Sequence, residues 1–251
     1  MRWLIPFFVC LLPPCLRAAE LPRVPIASFS VVPYVMAEGG KVRGALVDFF
    51  DRELAPRMGV RFVWQPPVST PRLERGLKDG SYAMVPLLAQ TAARQQQLHF
   101  ASKAYVRFQP VLAVRPDSPL RAIDSFNQLD GLLLGSIAGV PLPQPLQRAG
   151  LNWDDNPEVE AELGNLRKLG ARRLDAAYFS NAHAPGYYAA RLRMQARVLP
   201  LPLPVQARYA VFSRTLPPGV PADLTERYER AAALAWAPGR FERYLVPYLQ
   251  R

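Results

Sequence analysis

The sequence predicts an α/β fold of the doubly wound kind, in which buried strands alternate with helices. Apolar runs of strand length, such as residues 60–64 and 83–88, alternate with segments whose apolar residues recur at helical spacing. This alternation completes a β-α-β-α-β unit by Leu88, and a second series of strands and helices starts at Gly131. A chain of 251 residues is long enough for one large or two modest domains.

The strands and helices of the first series can be assigned in order along the chain. A strand is predicted over residues 24–32, a helix over 45–58 and a second strand over 60–64. Ser69 or Thr70 caps the next helix, which ends at a glycine before the strand at 83–88. Asp48, at the start of the first helix, has a structural role there because a carboxylate suits the positive end of the helix dipole.

The second series begins after a long strand over residues 104–114, which is interrupted at Pro110. The remaining predicted elements are a strand at 132–137, a helix at 156–169, strands at 174–179 and 205–213, and helices at 222–234 and 239–249. The turn at Gly139 leads towards a helix whose first N–H groups suit an anion.

The stretch at residues 91–105 carries the strongest sign of a site. Thr91 is placed to cap a helical turn just after the strand at 83–88, which puts Arg94 in the first turn. Ligands of open α/β sheets bind at the carboxyl ends of the strands. A guanidinium there is a permanent cation whose fork of donors matches a carboxylate or a phosphate.

The pattern T-x-x-R at 91–94, followed by F-x-S-x-x-Y at 100–105, resembles the bacterial extracellular solute-binding proteins of family 3, the amino-acid-binding type. Similar segments occur in the family's order at 33–34, 39–50, 77–82, 131–139 and 173–177. The resemblance implies the type II periplasmic-binding-protein fold, with two lobes joined by two hinge crossings. It places lobe one at 20–107 and 207–251 and lobe two at 108–206. It also implies a small solute held between the lobes by hinge closure and passed to a membrane ABC permease.

The chain departs from this family at several ligand-facing positions. Val140 and Pro141 stand where amino-acid binders carry hydroxyls, and so do Pro86, Leu87 and Ala89. Ser180 stands where those proteins place an acid for the ligand's ammonium. We therefore expect a carboxylate-bearing solute, such as an organic acid or a modified or peptide-like molecule, more than an ordinary amino acid. The predicted ligand-binding residues are Arg94, Tyr34, Thr91, Ala89, Trp64, Gly139, Val140, Tyr178 and Ser180.

Some of these side chains also have structural interpretations. Tyr34 suits a strand-end aromatic on the rim as well as a ligand contact, and Trp64 is favoured in the core. His183 is interpreted as a surface loop residue and His99 as structural. Two isolated histidines make a poor case for a metal or a catalytic triad, so the sequence predicts no metal, no cofactor and no catalytic residue.

Residues 1–19 read as a secretory signal peptide that is cleaved near Ala18 or Ala19. A membrane anchor is disfavoured because the apolar run is short and contains prolines, and lipidation of Cys15 is disfavoured by the prolines before it. Cleavage would remove Cys10 and Cys15, the only cysteines, so thiol catalysis and cysteine-bound zinc are not expected. The predicted location is the periplasm.

The formal net charge is +11, and it becomes +9 without Arg2 and Arg17. The arginines are spread along the chain, which argues against nucleic-acid binding. We expect a monomer that binds a small molecule and engages a permease or a receptor. The alternatives are a ligand sensor for a membrane receptor, a dehydratase-like enzyme on the same fold, and a member that has lost its ligand.

Overall fold

Two mixed sheets form the frame of the protein, which the computed structural model describes over residues 20–140, 142–158 and 160–249. The strands are β1 (Arg23–Ile26), β2 (Met36–Glu38), β3 (Lys41–Arg43), β4 (Arg61–Trp64), β5 (Met84–Leu88), β6 (His99–Phe100), β7 (Val106–Phe108), β8 (Val111–Val114), β9 (Leu133–Ile137), β10 (Asn152–Asn156), β11 (Ala176–Phe179), β12 (Arg197–Pro200) and β13 (Gln206–Phe212). The α-helices are α1 (Ala45–Phe49), α2 (Ala55–Met58), α3 (Thr70–Lys78), α4 (Ala92–Gln97), α5 (Gln144–Arg148), α6 (Ala161–Gly170), α7 (Ala184–Leu192), α8 (Leu224–Ala235) and α9 (Glu242–Leu249). A π-helical stretch (Phe50–Leu54) joins α1 to α2, and a 3-10 turn covers Phe126–Leu129.

The first sheet has the strand order β4-β1-β5-β13-β6, and β7 also pairs with β13. Its strands β4, β1 and β5 are parallel, whereas β13 is antiparallel to β5. The second sheet has the order β10-β9-β11-β8-β12, with β10, β9 and β11 parallel. The chain therefore leaves the first sheet between β7 and β8 and returns between β12 and β13. The predicted two-lobed α/β fold is confirmed.

The lobes share buried apolar surface. Phe49 and Phe212 of the first lobe belong to the same buried cluster as Leu166 and Phe179 of the second. A separate cluster around Leu134 fills the far side of the second sheet. Each fully buried side chain of this size stabilises the fold by about 1.5 to 3 kcal/mol.

Gly44 fixes the loop that carries Tyr34. Its φ is 139°, and a Cβ at this position would lie 2.1 Å from the Tyr34 carbonyl oxygen. The first N–H groups of α1 donate into the same loop: Ala45 to the Pro33 carbonyl and Leu46 to the Tyr34 carbonyl, both at 3.0 Å. Only glycine permits this approach without strain, so the loop is held against the start of α1.

Ser69 and Thr91 occupy the N-cap positions of α3 and α4, but only Thr91 makes a capping hydrogen bond. Ser69 precedes α3 in extended conformation, with Pro71 in the first turn. The Thr91 hydroxyl accepts a hydrogen bond from the Arg94 N–H at 3.3 Å at the start of α4. Both helices begin directly after a loop that follows a strand of the first sheet, as the sequence predicted.

Several predicted bounds are wrong. The first strand ends at Ile26 and not at residue 32, because the chain then turns back on itself, with the Val31 N–H bonded to the Val35 carbonyl at 2.8 Å. The helix predicted from residue 156 begins at Ala161, since Asn156 closes strand β10. The sequence analysis missed β10 because an edge strand of polar residues lacks an apolar pattern.

Candidate functional site

A cavity of about 310 Å³ lies between the two lobes, at the carboxyl ends of strands from both sheets. Its lining residues belong to the loops after β1, β9 and β11, to the first turns of α3 and α6, and to α7. The lining residues are Phe29, Ser30, Val31, Thr70, Ile137, Val140, Glu160, Ala161, Glu162, Ser180, Asn181 and Tyr188. This is the edge at which open α/β sheets bind their ligands.

The first-lobe wall is held by hydrogen bonds between two loops. The Ser28 hydroxyl donates to the Gln65 carbonyl at 3.0 Å, and the Val68 N–H donates to the Ser28 carbonyl at 2.9 Å. The loop after β1 is thereby tied to the loop after β4, which leads into α3. Ser30 consequently reaches the cavity from the loop after β1, and Thr70 reaches it from the first turn of α3.

A buried amide network holds the second-lobe wall. Asn165 of α6 is fully buried and donates to the Ser136 carbonyl at 2.8 Å. The Asn156 amide donates to the Asn165 Oδ1 at 3.0 Å and to the Ala161 carbonyl at 3.3 Å. Because these bonds join α6 to β9 and β10, the first turn of α6 and its Glu162 have a defined position beside the cavity.

Glu162 is the functional candidate that the sequence analysis missed. It is half-buried, and the Tyr188 hydroxyl is its hydrogen-bond partner. Burial raises the pKa of Glu162 to about 7, because the ionised form loses its water. Among the described residues no Lys, Arg or His lies within ion-pair distance of it. No pattern in the sequence shows that this turn faces the other lobe.

Arg94 lies between α3 and the loop after β5, where it is already bonded. Its Nε and Nη2 donate to Glu74 Oε1 at 3.0 and 2.7 Å, and its Nη1 donates to the Ala89 carbonyl at 2.8 Å. Of the five N–H donors of a guanidinium, these bonds engage three and leave two. The Arg94 side chain is 19% exposed, so it points into the molecule and not into bulk water.

A second guanidinium stands near the first. Arg208 of β13 packs over the Phe108 ring, with 5.0 Å from its Cζ to the ring centroid. Its Nη2 donates to Gln206 Oε1 at 2.6 Å, and no carboxylate of the described residues pairs with it. Burial lowers the pKa of Arg208 and the charge of Arg94 lowers it further, while Tyr178 raises it. Arg94, Arg208 and Tyr178 are therefore close enough to influence one another electrostatically, but neither arginine lines the cavity.

Direct hydrogen bonds join the two lobes beside the cavity. The Tyr34 hydroxyl and His183 Nδ1 are 2.8 Å apart, and the Asn181 amide donates to the Val32 carbonyl at 3.2 Å. Burial lowers the pKa of His183, because the charged ring would lose its water. The interpretation of His183 as a surface loop residue was wrong, because its ring is half-buried and packs against Tyr34. His183 stands at the start of helix α7, which the sequence analysis did not identify.

The predicted site residues fall into three groups. Val140, Tyr178 and Ser180 come together with Glu162 around a smaller space of about 40 Å³ at the same cleft. Arg94, Ala89 and Thr91 form the bonded group described above, and Tyr34 is in the contact between the lobes. None of these four residues lines the cavity.

The last two predicted residues stand apart from these groups. Gly139 is an exposed turn residue with φ of 74°. Trp64 lies on edge strand β4, where its indole donates to Asp51 Oδ1 at 2.9 Å. Its ring meets Phe50 and Phe62, so it packs against the first lobe's helix and not in the cavity.

Asp48, which was interpreted as structural, and Asp175 are both engaged in the fold. Asp48 accepts from the Tyr248 hydroxyl at 2.7 Å, and Asp175 accepts from the Leu133 N–H at 2.9 Å. Within the described ranges, no three His, Asp or Glu side chains come together in a way that would hold a metal ion. The same part of the chain contains no helix long and apolar enough to cross a bilayer. The predicted signal peptide at residues 1–19 lies outside the described residues.

Solved structures with the same fold have low sequence identity to the chain. The "probable amino-acid ABC transporter extracellular-binding protein ytmK" of Bacillus subtilis is 16% identical, with a TM-score of 0.74 over 92% of this chain and 99% of that one. An amino acid ABC transporter substrate-binding protein of Streptococcus pneumoniae, bound to L-arginine, is 13% identical, with a TM-score of 0.66 over 91% and 95%. The GluR0 ligand-binding core from Nostoc punctiforme, in complex with L-glutamate, is 18% identical, with a TM-score of 0.66 over 91% and 100%.

The family comparison agrees with the fold. No curated protein sequence matches the chain. The family model of the bacterial extracellular solute-binding proteins, family 3, matches residues 27–245, which include both sheets from the loop after β1 onwards. The resemblance inferred from the sequence motifs is thereby confirmed. The chain belongs to the bacterial extracellular solute-binding proteins, family 3.

Proposed function

We propose that this protein is an exported solute-binding protein that closes on a small carboxylate-bearing solute and delivers it to a membrane ABC permease. The observation that carries the proposal is the cavity between the strand ends of both lobes, to which each lobe contributes polar side chains. A ligand that touches both walls favours the closed arrangement over the open one, and this difference drives hinge closure.

The size of the cavity supports a small solute. A volume of about 310 Å³ is at the lower end of the range for small-molecule sites. Apolar groups such as Phe29, Val31 and Ile137 line part of it, while Ser30 and Thr70 supply a few polar contacts. This mixture of apolar walls and sparse polar groups is typical of sites for a single small ligand.

The two guanidiniums support a carboxylate on the ligand. Arg94 keeps two N–H donors after its bonds to Glu74 and Ala89, and Arg208 has no carboxylate partner among the described residues. Two neighbouring cations attract an anion and repel each other in its absence. A carboxylate that bridges them gains charge-assisted hydrogen bonds.

Delivery to a permease and a periplasmic location follow by analogy. Two of the similar structures are described as components of amino-acid ABC transporters, and the matched family is described as extracellular. The predicted signal peptide is consistent with export. We expect a monomeric binding protein and no catalytic turnover.

A thermal-shift screen over organic acids, amino acids, peptides and polyamines tests this function, with variants at the bonded pair. Arg94→Ala should lower affinity for the best acid probe by at least about tenfold, because charge-assisted hydrogen bonds are lost. Glu74→Ala should keep or raise that affinity, since it frees two donors of Arg94. Arg214→Ala, which removes an exposed arginine outside the cleft, is the charge-matched control.

Two results contradict the proposal. If no small molecule stabilises the protein, it is not a solute-binding protein of this kind. If Arg94→Ala binds an acid probe as tightly as the unmodified protein does, Arg94 does not hold the carboxylate.

A further inference from the structure

The net positive charge of the protein is concentrated in the lobe that contains the first sheet. Residues 20–107 and 207–251 carry 19 Lys and Arg against 11 Asp and Glu, whereas residues 108–206 carry 10 against 9. The first lobe therefore has a formal charge of +8 and the second has +1. An excess of one sign over half of a molecule attracts partners of the opposite sign to that half.

The two faces of the first sheet are covered by different helices. Phe212 of β13 belongs to the buried cluster that contains residues of α1, α2, α8 and α9, while its neighbour Val211 belongs to the cluster that contains residues of α3. Successive side chains of a strand point to opposite faces, so α3 covers the face opposite these four helices. The bond between Arg94 and Glu74 ties α4 to α3.

The face covered by α3 and α4 is the basic one. These two helices contain four Lys and Arg and one acid, whereas residues 45–58, α8 and α9 contain five against six. The single acid is Glu74, which is bonded to Arg94. Asp79 follows α3 and accepts from the Ser81 N–H at 2.9 Å, and it is near enough to Arg75 to interact with its charge. One acid beyond the helix end does not balance the cations of this face.

Three exposed cations form a stripe along α3. Arg72, Arg75 and Lys78 recur every three residues and are exposed, while Leu73 and Leu77 are buried against the sheet. Residues three apart are neighbours on a helix surface, so the stripe extends over about 9 Å of one side of α3. Within the described ranges, none of the three cations forms an ion pair with a carboxylate.

We propose that this face is an electrostatic docking surface for an anionic lipid bilayer, with the α3 stripe at its centre. Anionic headgroups attract each basic residue that comes near them, and several such residues together hold a protein reversibly at a membrane surface. Long cationic side chains need no matching pocket for this contact, because their charged ends reach the phosphates from an exposed helix. The contact keeps the protein beside a membrane.

The composition of this face favours a lipid surface over a protein partner. The centre of a protein–protein interface is rich in apolar and aromatic residues and poor in charged ones. The large apolar side chains that are exposed among the described residues lie on neither α3 nor α4; they are Leu21, Val140, Val205, Leu234 and Val246. A face of cations without an exposed apolar anchor matches a layer of phosphates better than it matches a folded domain.

Co-sedimentation with lipid vesicles tests the proposal. The mature protein is mixed with vesicles of phosphatidylcholine, and with vesicles in which phosphatidylglycerol replaces about a third of that lipid. Each mixture is measured at about 50 mM and at about 300 mM salt, which give weak and strong screening of charge. Beads coated with poly-L-glutamate present the same sign of charge on a polypeptide.

Two variants with equal net charge separate the stripe from the overall charge. In the stripe variant, the three exposed cations of α3 become neutral: Arg72→Gln, Arg75→Gln and Lys78→Gln. In the control variant, three exposed arginines of the second lobe that have no ion pair among the described residues become neutral: Arg148→Gln, Arg167→Gln and Arg173→Gln.

We expect the unmodified protein to bind the phosphatidylglycerol vesicles at low salt, to leave them at high salt, and to ignore phosphatidylcholine alone. A basic residue near an anionic surface changes the partition coefficient by about fivefold, so the stripe variant should bind at least about tenfold more weakly. The control variant should lose less than about threefold, because its charges lie on the other lobe.

Three results contradict the proposal. It is wrong if the stripe variant loses no more binding than the control variant, or if the unmodified protein binds both kinds of vesicle equally. Retention on the poly-L-glutamate beads without binding to anionic vesicles assigns the face to an acidic polypeptide and also contradicts it. If the stripe variant melts below the control variant, the single change Arg75→Gln should still weaken vesicle binding by about fivefold, and an unchanged value refutes the proposal.

Discussion

Replacing Glu162 by Gln should stabilise the protein, and the gain should grow as the pH rises. The pKa of Glu162 is raised from the ordinary value of 4.5 to about 7 in the folded state, with burial as its main cause. An acid with a raised folded pKa takes up protons on folding. Its contribution to stability is therefore fully present below the unfolded pKa and is lost as the pH rises through the folded one.

The magnitude follows from this difference in pKa. Each pH unit by which the folded pKa exceeds the unfolded one is equivalent to about 1.36 kcal/mol, so the ionised acid costs the folded state about 3 kcal/mol well above pH 7. The cost is less than about 1 kcal/mol at about pH 5, where the folded-state acid is protonated. Glutamine titrates at neither pH, so the variant should gain about 2 to 3 kcal/mol over the unmodified protein between these two conditions.

Urea-induced unfolding at about pH 5 and about pH 8.5, followed by circular dichroism, measures this gain. Glu158→Gln should show no gain at either pH, because that acid is exposed. The reasoning is refuted if Glu162→Gln and the unmodified protein have the same pH dependence of stability. If Glu162→Gln is more stable and also loses ligand binding, then Glu162 is a binding group that lowers the stability of the fold.

Three further substitutions test the elements that position the site. Gly44→Ala should lower the free energy of unfolding by about 2 to 4 kcal/mol, since its Cβ would meet the Tyr34 carbonyl at 2.1 Å; an unchanged urea midpoint would contradict this. Tyr34→Phe removes the hydroxyl that bonds His183 across the lobes, so titration should show the best probe binding roughly fivefold more weakly, with little change in melting temperature. Asn165→Ala leaves the Ser136 carbonyl without its buried donor and should cost about 1 to 3 kcal/mol in urea unfolding.

Much of the fold could be predicted because a buried face requires apolar residues at a regular spacing in the sequence. Strand β5 is buried at every position and appears as an unbroken apolar run, and the turns of α3 bury Leu73 and Leu77 at helical spacing. The edge strand β10 was not predicted, since four of its five residues are polar and only Asn156 is fully buried. The spacing of apolar residues shows which face of an element is buried. This signal is weak in an element that has no buried face.

The site was harder to predict because its contacts join distant segments. Arg94 was recognised from its local motif, but its bond to Glu74, twenty residues earlier, depends on how α3 and α4 pack. Glu162 faces the cavity only because α6 starts at the edge where β9 and β11 end. His183 meets Tyr34 across 149 positions of sequence. No local pattern encodes which groups face one another across two lobes.

A crystal structure of the mature protein, grown with the probe that binds most tightly, tests the central claim most directly. We predict ligand density between the loop at 29–31 and Ser180, with the carboxylate on the side of the cavity nearest to Arg94. Density outside the cleft would contradict the account, and so would a bound probe whose carboxylate points away from Arg94.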